Sequence, residues 1–344
     1  MTPAPYLLYL GRSTDALAIK TSRGVAQFRR EDCLGEFRHD ECPQTLGLPR
    51  LGMQEAAAAG ARTLILGIAG AGGRLSDDLI EDAAAALEAG MNVASGLHQR
   101  LRDQPRLVAL AKERSLSLFD VRDPPANLKV GKGYIRPGRR LLTVGTDCSV
   151  GKMYATIALT RGLRDSGAAA DFRATGQTGI LIAGSGVAVD AVVADFISGA
   201  IEQLAPARDD GGWDVIEGQG SLFHPSFAGV SLGLLHGAQP EALVICDEPG
   251  RPHMRGIPGR PLPGLSECLE RNLEAARLTS PEVRAAGICL NTSAMDRQAA
   301  LRLCAATEDR LGLPCTDPIA FGVERIVNGL LCREPSSLST SAFR

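Results

Sequence analysis

The sequence predicts an α/β protein built from two parallel-sheet domains. Its 344 residues exceed the usual size of one domain, and short apolar runs alternate with helical patterns along the chain. In the first half, the patterns predict strands at Tyr6–Leu10, Thr63–Ile68, Asn92–Ala94 and Leu116–Val121. They predict helices at Met53–Ala61 and Leu79–Leu87. In the second half, they predict strands at Leu141–Val144, Asp171–Ala174, Trp213–Ile216, Ala242–Cys246 and Ala285–Leu290.

Composition excludes several classes of protein. The net charge is −2, from 37 basic and 39 acidic residues, whereas nucleic-acid binders usually carry a basic excess. No apolar run reaches the roughly 18 residues that span a bilayer, and the N-terminus lacks the pattern of a signal peptide. The nine cysteines form no C-x-x-C pair. We therefore expect a cytoplasmic protein with reduced thiols, no bound metal, and neither nucleic acid nor membrane as a partner.

The strongest motif is Gly145–Lys152, GTDCSVGK, which fits G-x-x-x-x-G-K. It follows the predicted strand Leu141–Val144 and opens a helical run from Met153 to Leu163. Glycines let backbone N–H groups converge on an anion, and the helix N-terminus and the lysine add positive charge. The alternative is a Gly-rich turn beside a surface lysine. The residues expected to bind the cofactor are Gly145, Thr146, Asp147, Cys148, Ser149, Val150, Gly151, Lys152 and Met153.

Met153 stands where P-loop NTPases have the Ser or Thr whose hydroxyl binds Mg²⁺. A thioether is a poor ligand for this hard cation, and Thr156 lies a helical turn further on. The sequence therefore favours phosphate binding without phosphoryl transfer and argues against a role for Mg²⁺. Coenzyme A, which carries phosphates, would suit such a loop.

Four more polar loops follow predicted strands of the second half: Thr175–Gly179, Glu217–His224, Glu248–Arg255 and Asn291–Ser293. In an open parallel sheet, ligands bind outside the carboxyl ends of the strands. We therefore expect these loops and the P-loop to form one site. The first loop contributes Gln177 and Thr178 as expected substrate contacts, and the last contributes Asn291 as an expected wall residue of the cofactor site.

Each candidate in these loops also has a plainer interpretation. Glu217 is either a base or metal-holding carboxylate, or a helix cap or salt-bridge partner. His224 is either a general base or a hydrogen-bonding group. Arg251, His253 and Arg255 form either an anion-binding loop or a solvated one. Cys148 is either an acyl acceptor at a helix N-terminus or a small filler.

The boundary between the domains is predicted in a segment without periodicity. Residues 123–139 contain three prolines and several glycines, which is typical of a linker. We therefore predict a Rossmann-like α/β domain over 1–122, a P-loop NTPase-like α/β domain over 140–333 and a flexible Ser-rich tail over 334–344. The Gly-rich loop Gly67–Gly73 does not fit G-x-G-x-x-G, so it is weak support for a dinucleotide site.

Several longer blocks resemble a known family. They are PYLLYLG at the N-terminus, SGLHQRL from Ser95, LLTVGTDCSVGKMYA from Leu141, DFRATGQTGILIAG from Asp171 and WDVIEGQGSLFHPSFAGVSLGLLHG from Trp213. The second half resembles the DUF1611 family, and the whole chain resembles the DgcN-type D-glutamate N-acetyltransferases of bacteria. That family more often has His where this chain has Asp247. More distantly, GTD-x-x-VGK and EGQG are similar to the dethiobiotin synthetase and cobyric acid synthase branch of P-loop proteins.

The resemblance implies acetyl transfer from acetyl-CoA to the amino group of D-glutamate by direct attack. The implied catalytic residues are Lys152, Glu217, His224 and Asp147, with Glu217 or His224 as the base and Lys152 or backbone N–H groups on the oxyanion. The P-loop would hold the phosphates of CoA, and Arg251 or Arg255 would hold the carboxylates of glutamate.

Two other functions stay open at this point. One is an ATP-dependent ligase or kinase of dethiobiotin-synthetase type, against which Met153 counts. The other is a nucleotide-sensing module without turnover. For any of the three, we expect small-molecule substrates or ligands and a homo-oligomer.

Overall fold

The computed structural model describes residues 2–68 and 74–332, which form two compact units. The first unit comprises Met1–Asn127 and Ala174–Val192, and the second comprises Leu128–Arg173 and Val193–Arg344. The predicted tail over 334–344 and residues 69–73 of the predicted Gly-rich loop lie outside the described residues. Among the described residues, no helix combines the length and the apolar character needed to cross a membrane.

The first unit contains a five-stranded parallel sheet in the order β2-β1-β3-β4-β5. Its strands are β1 (Tyr6–Gly11), β2 (Cys33–Arg38), β3 (Thr63–Leu66), β4 (Asn92–Ser95) and β5 (Leu118–Asp120). The helices of this unit that precede Asn127 are α1 (Lys20–Phe28), α2 (Met53–Ala58), α3 (Asp77–Glu88) and α4 (Pro105–Glu113). All four strands and both helices predicted in the first half are confirmed, with small shifts at their ends.

The strand β2 was not predicted, because its sequence CLGEFR includes glycine and glutamate, which are disfavoured in strands. Glu36 is nevertheless buried within it. Its carboxylate accepts hydrogen bonds from Arg38 Nε at 3.1 Å, Thr45 Oγ1 at 2.8 Å and the backbone N–H of Leu46 at 2.6 Å. These partners compensate the buried charge, and the periodicity of the strand does not reveal them.

A segment from the second half of the chain packs on the first sheet. It contains α6 (Gln177–Ala183), whose Leu181 joins a core cluster with Leu8 of β1 and Val25 of α1. The division of the chain therefore differs from the continuous domains expected over 1–122 and 140–333. The apolar side chains of this short helix are buried against the first sheet rather than the second. The boundary after Asn127 falls within the expected linker, whose last residue, Arg139, already begins a strand.

The second unit contains a six-stranded parallel sheet in the order β11-β10-β9-β6-β8-β7. Its strands are β6 (Arg139–Gly145), β7 (Ala170–Arg173), β8 (Trp213–Ile216), β9 (Ala242–Asp247), β10 (Arg284–Leu290) and β11 (Cys315–Thr316). Its helices are α5 (Lys152–Asp165), α7 (Ile197–Leu204), α8 (Ala228–Ala238), α9 (Leu265–Arg277), α10 (Arg297–Leu311) and α11 (Glu324–Leu331). The predicted α/β class and the five strands predicted in this half are confirmed; β11, with two residues, is too short for a pattern to predict.

The position of β6 determines where a ligand could bind in this unit. β6 pairs with β8 on one side and with β9 on the other. One face of the sheet is covered by α5 and α11, which bury Leu159 and Val327 against Leu141 and Val244. The loops that follow β6, β8 and β9 therefore emerge side by side at the carboxyl edge of the sheet.

Candidate P-loop site of the second unit

The loop between β6 and α5 has the conformation that the motif requires. Ser149 and Gly151 have φ angles of 58° and 98°, the left-handed conformation in which successive backbone N–H groups form an anion-binding nest. A Cβ atom at Gly145 would lie 2.8 Å from the carbonyl oxygen of Cys246 and 3.5 Å from Lys152 Nζ. A side chain at Gly145 would therefore crowd the base of the loop.

Lys152 begins α5 and is only 6% exposed. Among the described residues, its Nζ donates one hydrogen bond, to the carbonyl oxygen of Asp147 at 2.7 Å. A lysine ammonium has three N–H groups, so two are left for a ligand. Burial lowers the pKa of Lys152, and the nearby Cys148 opposes this shift. An anion bound in the loop would compensate the buried charge.

Buried hydroxyl groups below the loop connect β6, α5 and the loop after β8. Thr143 Oγ1 lies 2.9 Å from Thr156 Oγ1 and accepts a hydrogen bond from the N–H of Gly218 at 3.0 Å. Thr156 Oγ1 also lies 2.7 Å from the carbonyl oxygen of Lys152, to which it donates. Because this hydroxyl is buried and engaged, Thr156 cannot replace the Mg²⁺-binding hydroxyl missing at Met153.

Arg251, from the loop after β9, donates hydrogen bonds to residues of the P-loop. Its Nη1 donates to Asp147 Oδ2 at 2.8 Å and to the carbonyl oxygen of Cys148 at 2.7 Å, and its Nη2 donates to the carbonyl oxygen of Ser149 at 3.0 Å. The same Nη2 pairs with Glu248. Although burial opposes the charge, the bonds to Glu248 and Asp147 raise the pKa of Arg251. These contacts fix the P-loop and occupy both Nη atoms of Arg251, which disfavours Arg251 as a substrate contact.

Arg255 is held by its backbone instead. Its N–H donates to Asp147 Oδ2 at 2.7 Å, and its carbonyl oxygen lies 3.0 Å from His224 Nε2. Asp147 and His224 are 0% and 2% exposed. The guanidinium of Arg255 forms no hydrogen bond or ion pair with any residue in the described ranges. This arrangement presents a cation whose charge is available to a ligand.

The surroundings of His224 define its tautomer. The backbone N–H of Ser226 donates to Nδ1 at 3.2 Å, so Nδ1 has no proton and Nε2–H donates to the carbonyl oxygen of Arg255. Both ring nitrogens are therefore engaged, which disfavours His224 as the general base.

One ligand atom from each of Asp147, Cys148 and His224 lies within 4.8 Å of the other two, a spacing that a metal ion could use. The buried Oδ1 of Asp147 also has no hydrogen-bond partner among the described residues. However, a metal on His224 would displace one of its two backbone contacts. The cluster is better explained by the contacts of Asp147 and His224 with Arg255.

Glu217 immediately follows β8 and is 4% exposed. Its N–H donates to the carbonyl oxygen of Arg173 at 3.0 Å, which continues the pairing of β8 with β7. In the register of β8 and β6, Ile216 is level with Leu142, so Glu217 lies beside the last third of the strand that carries the P-loop. It is a buried carboxylate at the carboxyl edge of the sheet.

Asn291 lies next to the P-loop, where its Cβ is 3.7 Å from the position that a Cβ at Gly151 would occupy. His253 is partly buried in the same loop as Arg251 and Arg255. Gln177 and Thr178 belong to the first unit, where both side chains are hydrogen-bonded to Thr21.

Sequence reasoning missed two polar residues of this edge. Asp247 accepts a hydrogen bond from Thr146 Oγ1 at 2.5 Å, and Ser221 Oγ donates to the carbonyl oxygen of Thr146 at 3.0 Å. Burial raises the pKa of Asp247. Because Asp247 is the last residue of β9, the same strand-end rule that indicated Glu217 could have indicated it.

Comparisons with known proteins agree with both halves of the fold. A Rossmann-like domain of unknown function, DUF1611_N, matches residues 32–124, and a P-loop domain of unknown function, DUF1611_C, matches residues 129–327. The predicted Rossmann-like and P-loop-like character of the two halves is thereby confirmed. A DUF1611 family protein from Anabaena variabilis has a crystal structure that superimposes with a TM-score of 0.88, at 33% identity over 96% of this chain and 100% of that one.

Two relatives carry a functional name. A protein from a Pseudoalteromonas species, named D-glutamate N-acetyltransferase, is 48% identical over 95% of this chain and 98% of its own length. One from Tritonibacter scottomollicae with the same name is 45% identical over 96% of this chain and 99% of its own length. With both domain models matched and identity at this level along nearly its full length, the chain belongs to the DUF1611 family.

Proposed function

We propose that this protein transfers the acetyl group of acetyl-CoA to the amino group of D-glutamate. The observation that carries the proposal is the 45–48% identity, over 95–96% of the chain, with two proteins named for that reaction. The P-loop is consistent with it, because the loop offers a phosphate cradle while Met153 replaces the hydroxyl that metal-assisted phosphoryl transfer uses.

In this proposal, the P-loop holds the phosphates of acetyl-CoA. Lys152 provides two unused N–H groups and a buried positive charge, and Ser149 and Gly151 turn the backbone into an anion-binding conformation. Asn291 provides a wall next to Gly151. The bonds from Arg251 to two loop carbonyl groups keep the cradle in shape before the ligand arrives, which reduces the ordering cost of binding.

Glu217 is the base in this proposal. The ammonium group of D-glutamate must lose a proton before its nitrogen can attack the thioester carbonyl. Glu217 is a buried carboxylate that directly follows β8, the strand that pairs with β6. The nitrogen forms the amide bond as the C–S bond breaks, and the departing CoA thiolate takes the second proton that the nitrogen loses. Lys152 or backbone N–H groups would stabilise the oxyanion that develops on the way.

The test is release of CoA thiol from acetyl-CoA in the presence of EDTA, with D-glutamate and L-glutamate offered separately. We expect thiol release with D-glutamate alone and N-acetylglutamate by mass spectrometry. Glu217→Gln should reduce turnover strongly while binding of acetyl-CoA is retained. No release with either enantiomer, in a protein that binds ATP more tightly with Mg²⁺ and forms ADP, would instead support the ATP-dependent ligase or kinase.

The cytoplasmic location and the homo-oligomer stay predictions. Fractionation of the native cells and light scattering of the purified protein would test them.

A further inference from the structure

Arg255 differs from its neighbour Arg251, although both lie in the loop after β9. Arg251 uses its guanidinium to bond the P-loop and Glu248. Arg255 uses only its backbone, and its guanidinium has no protein partner within the described residues. Asp147 and Glu248, two carboxylates of the P-loop and of the loop after β9, both pair with Arg251. The charge of Arg255 is therefore left for a ligand.

The peptide of Arg255 is held from both sides by buried groups. Asp147 accepts its N–H at 2.7 Å, and the Nε2–H of His224 bonds its carbonyl oxygen at 3.0 Å. Asp147 is part of the P-loop, and His224 closes the loop after β8, where its ring stacks on Phe227 with centroids 4.6 Å apart. Elements on two sides of the site thus define the direction in which the Arg255 side chain leaves the backbone.

We propose that Arg255 is the specificity-determining residue that binds the side-chain carboxylate of the acidic amino-acid substrate, and that Asp147 and His224 position it. The inference rests on the proposed function. A guanidinium binds a carboxylate through two parallel hydrogen bonds, which an amide of the same shape cannot match. Phosphate groups have their own cradle in the P-loop, with Lys152 at its base. Arg255 therefore selects glutamate over glutamine.

The experiment compares D-glutamate with D-glutamine as acceptors for wild type, Arg255→Gln and Arg255→Lys. Loss of a charge-assisted bidentate contact should reduce kcat/KM for D-glutamate by about 10- to 100-fold and leave kcat/KM for D-glutamine nearly unchanged. Arg255→Lys should recover only part of the preference, because lysine keeps the charge without the fork. Arg260→Gln is the matched control: this exposed arginine lies in the same region, and its variant should keep the wild-type ratio.

The role of His224 has a separate readout. His224→Asn, which keeps an N–H donor, should preserve the preference better than His224→Phe, which removes the donor. Both should leave the KM for acetyl-CoA unchanged, whereas a role limited to stability would lower the folded fraction and not alter the ratio between the two acceptors.

Three results would overturn the assignment. The preference for D-glutamate could persist in Arg255→Gln with a raised KM for acetyl-CoA, which would assign Arg255 to a phosphate. Alternatively, Arg255→Gln could be folded by circular dichroism and change neither the preference for D-glutamate nor the KM for acetyl-CoA. A wild-type protein that acetylates neither acceptor would overturn the proposed function itself, a failure distinguishable from the first two.

Discussion

Replacement of the P-loop lysine should change stability and ligand binding in opposite directions. Lys152→Met keeps the length of the side chain and removes its charge. Because Lys152 is 6% exposed and makes one hydrogen bond within the described residues, the ligand-free protein carries a poorly compensated buried cation. We expect the variant to be more stable than wild type and unable to hold acetyl-CoA tightly.

The gain in stability follows from two opposing effects. Burial of an ammonium group costs several kcal/mol, and apolar replacements of buried charges often stabilise a protein by about 1–4 kcal/mol. The hydrogen bond from this ammonium group to the carbonyl oxygen of Asp147 is lost as well, which places the expected gain in the lower half of that range. We therefore expect the free energy of unfolding of Lys152→Met to rise by about 1–2 kcal/mol.

The loss of affinity is larger. Two N–H groups of Lys152 remain for phosphate oxygens, and each charge-assisted hydrogen bond contributes about 1.5–3 kcal/mol. Loss of one or two of them should weaken acetyl-CoA binding by about 100-fold or more.

Urea unfolding measures the first effect, and titration calorimetry with acetyl-CoA measures the second. Lys112→Met, at an exposed position on α4, is the control and should change neither. A less stable Lys152→Met that binds acetyl-CoA like wild type would refute the reasoning, since it would mean that the lysine supports the fold rather than a ligand.

The pH dependence should have a defined sign. Burial lowers the pKa of Lys152 below its ordinary value of 10.5. Between the lowered pKa and 10.5, the unfolded chain holds a proton that the folded chain has lost, and stability rises with pH wherever the unfolded state binds more protons. Wild type should therefore gain stability relative to Lys152→Met as the pH rises through this range, while its affinity for acetyl-CoA falls. If the free energies of unfolding of wild type and Lys152→Met changed in parallel with pH, this expected pH dependence would be contradicted.

Four further variants test other parts of the second unit. Gly218→Ala would place a Cβ 1.7 Å from the carbonyl oxygen of Thr143 and should reduce the free energy of unfolding, measured in urea, by about 3 kcal/mol. Gly229→Ala, in a helix, would place its Cβ with no neighbouring atom within 4 Å and should raise the free energy of unfolding by about 0.5–1 kcal/mol. Arg251→Lys keeps the charge without the fork that bonds two loop carbonyl groups, so acetyl-CoA binding by calorimetry should weaken about 10-fold; unchanged affinity would argue against a preorganised cradle. Burial of Asp317 opposes its charge, but hydrogen bonds from a hydroxyl and three backbone N–H groups lower the pKa of its carboxyl group below 3.8. The stability this carboxylate contributes is thus complete above pH 3.8 and lost as the pH falls through the lowered pKa, so acid unfolding curves of wild type and Asp317→Asn should converge at low pH.

Much of the fold could be read from the sequence because parallel strands buried on both faces appear as short apolar runs. All nine predicted strands are present, and the helix after Gly145–Lys152 begins within one residue of its expected start. Glycine spacing and a lysine are local properties, so the P-loop is predictable from the chain alone. Met153 likewise predicts a loop without the Mg²⁺-binding hydroxyl, because this prediction depends only on the residue type.

Other features depend on contacts between residues far apart in the chain. The apolar residues of α6 predict burial, but only packing shows that they cover the first sheet rather than the second. The strand β2 is stabilised by partners of Glu36 that no periodicity reveals.

Arg251 and Arg255 illustrate the same limit at the site. They are the same residue type, four positions apart in one irregular loop, and the sequence offers both equally as partners of an anion. The folded chain uses the guanidinium of the first to fix the P-loop and holds only the backbone of the second. The sequence by itself determined which chemistry is present at the carboxyl edge of the second sheet. The tertiary structure decided which groups are already bonded to protein and which are left for a ligand, because hydrogen-bond partners are assigned by distance in space and not along the chain.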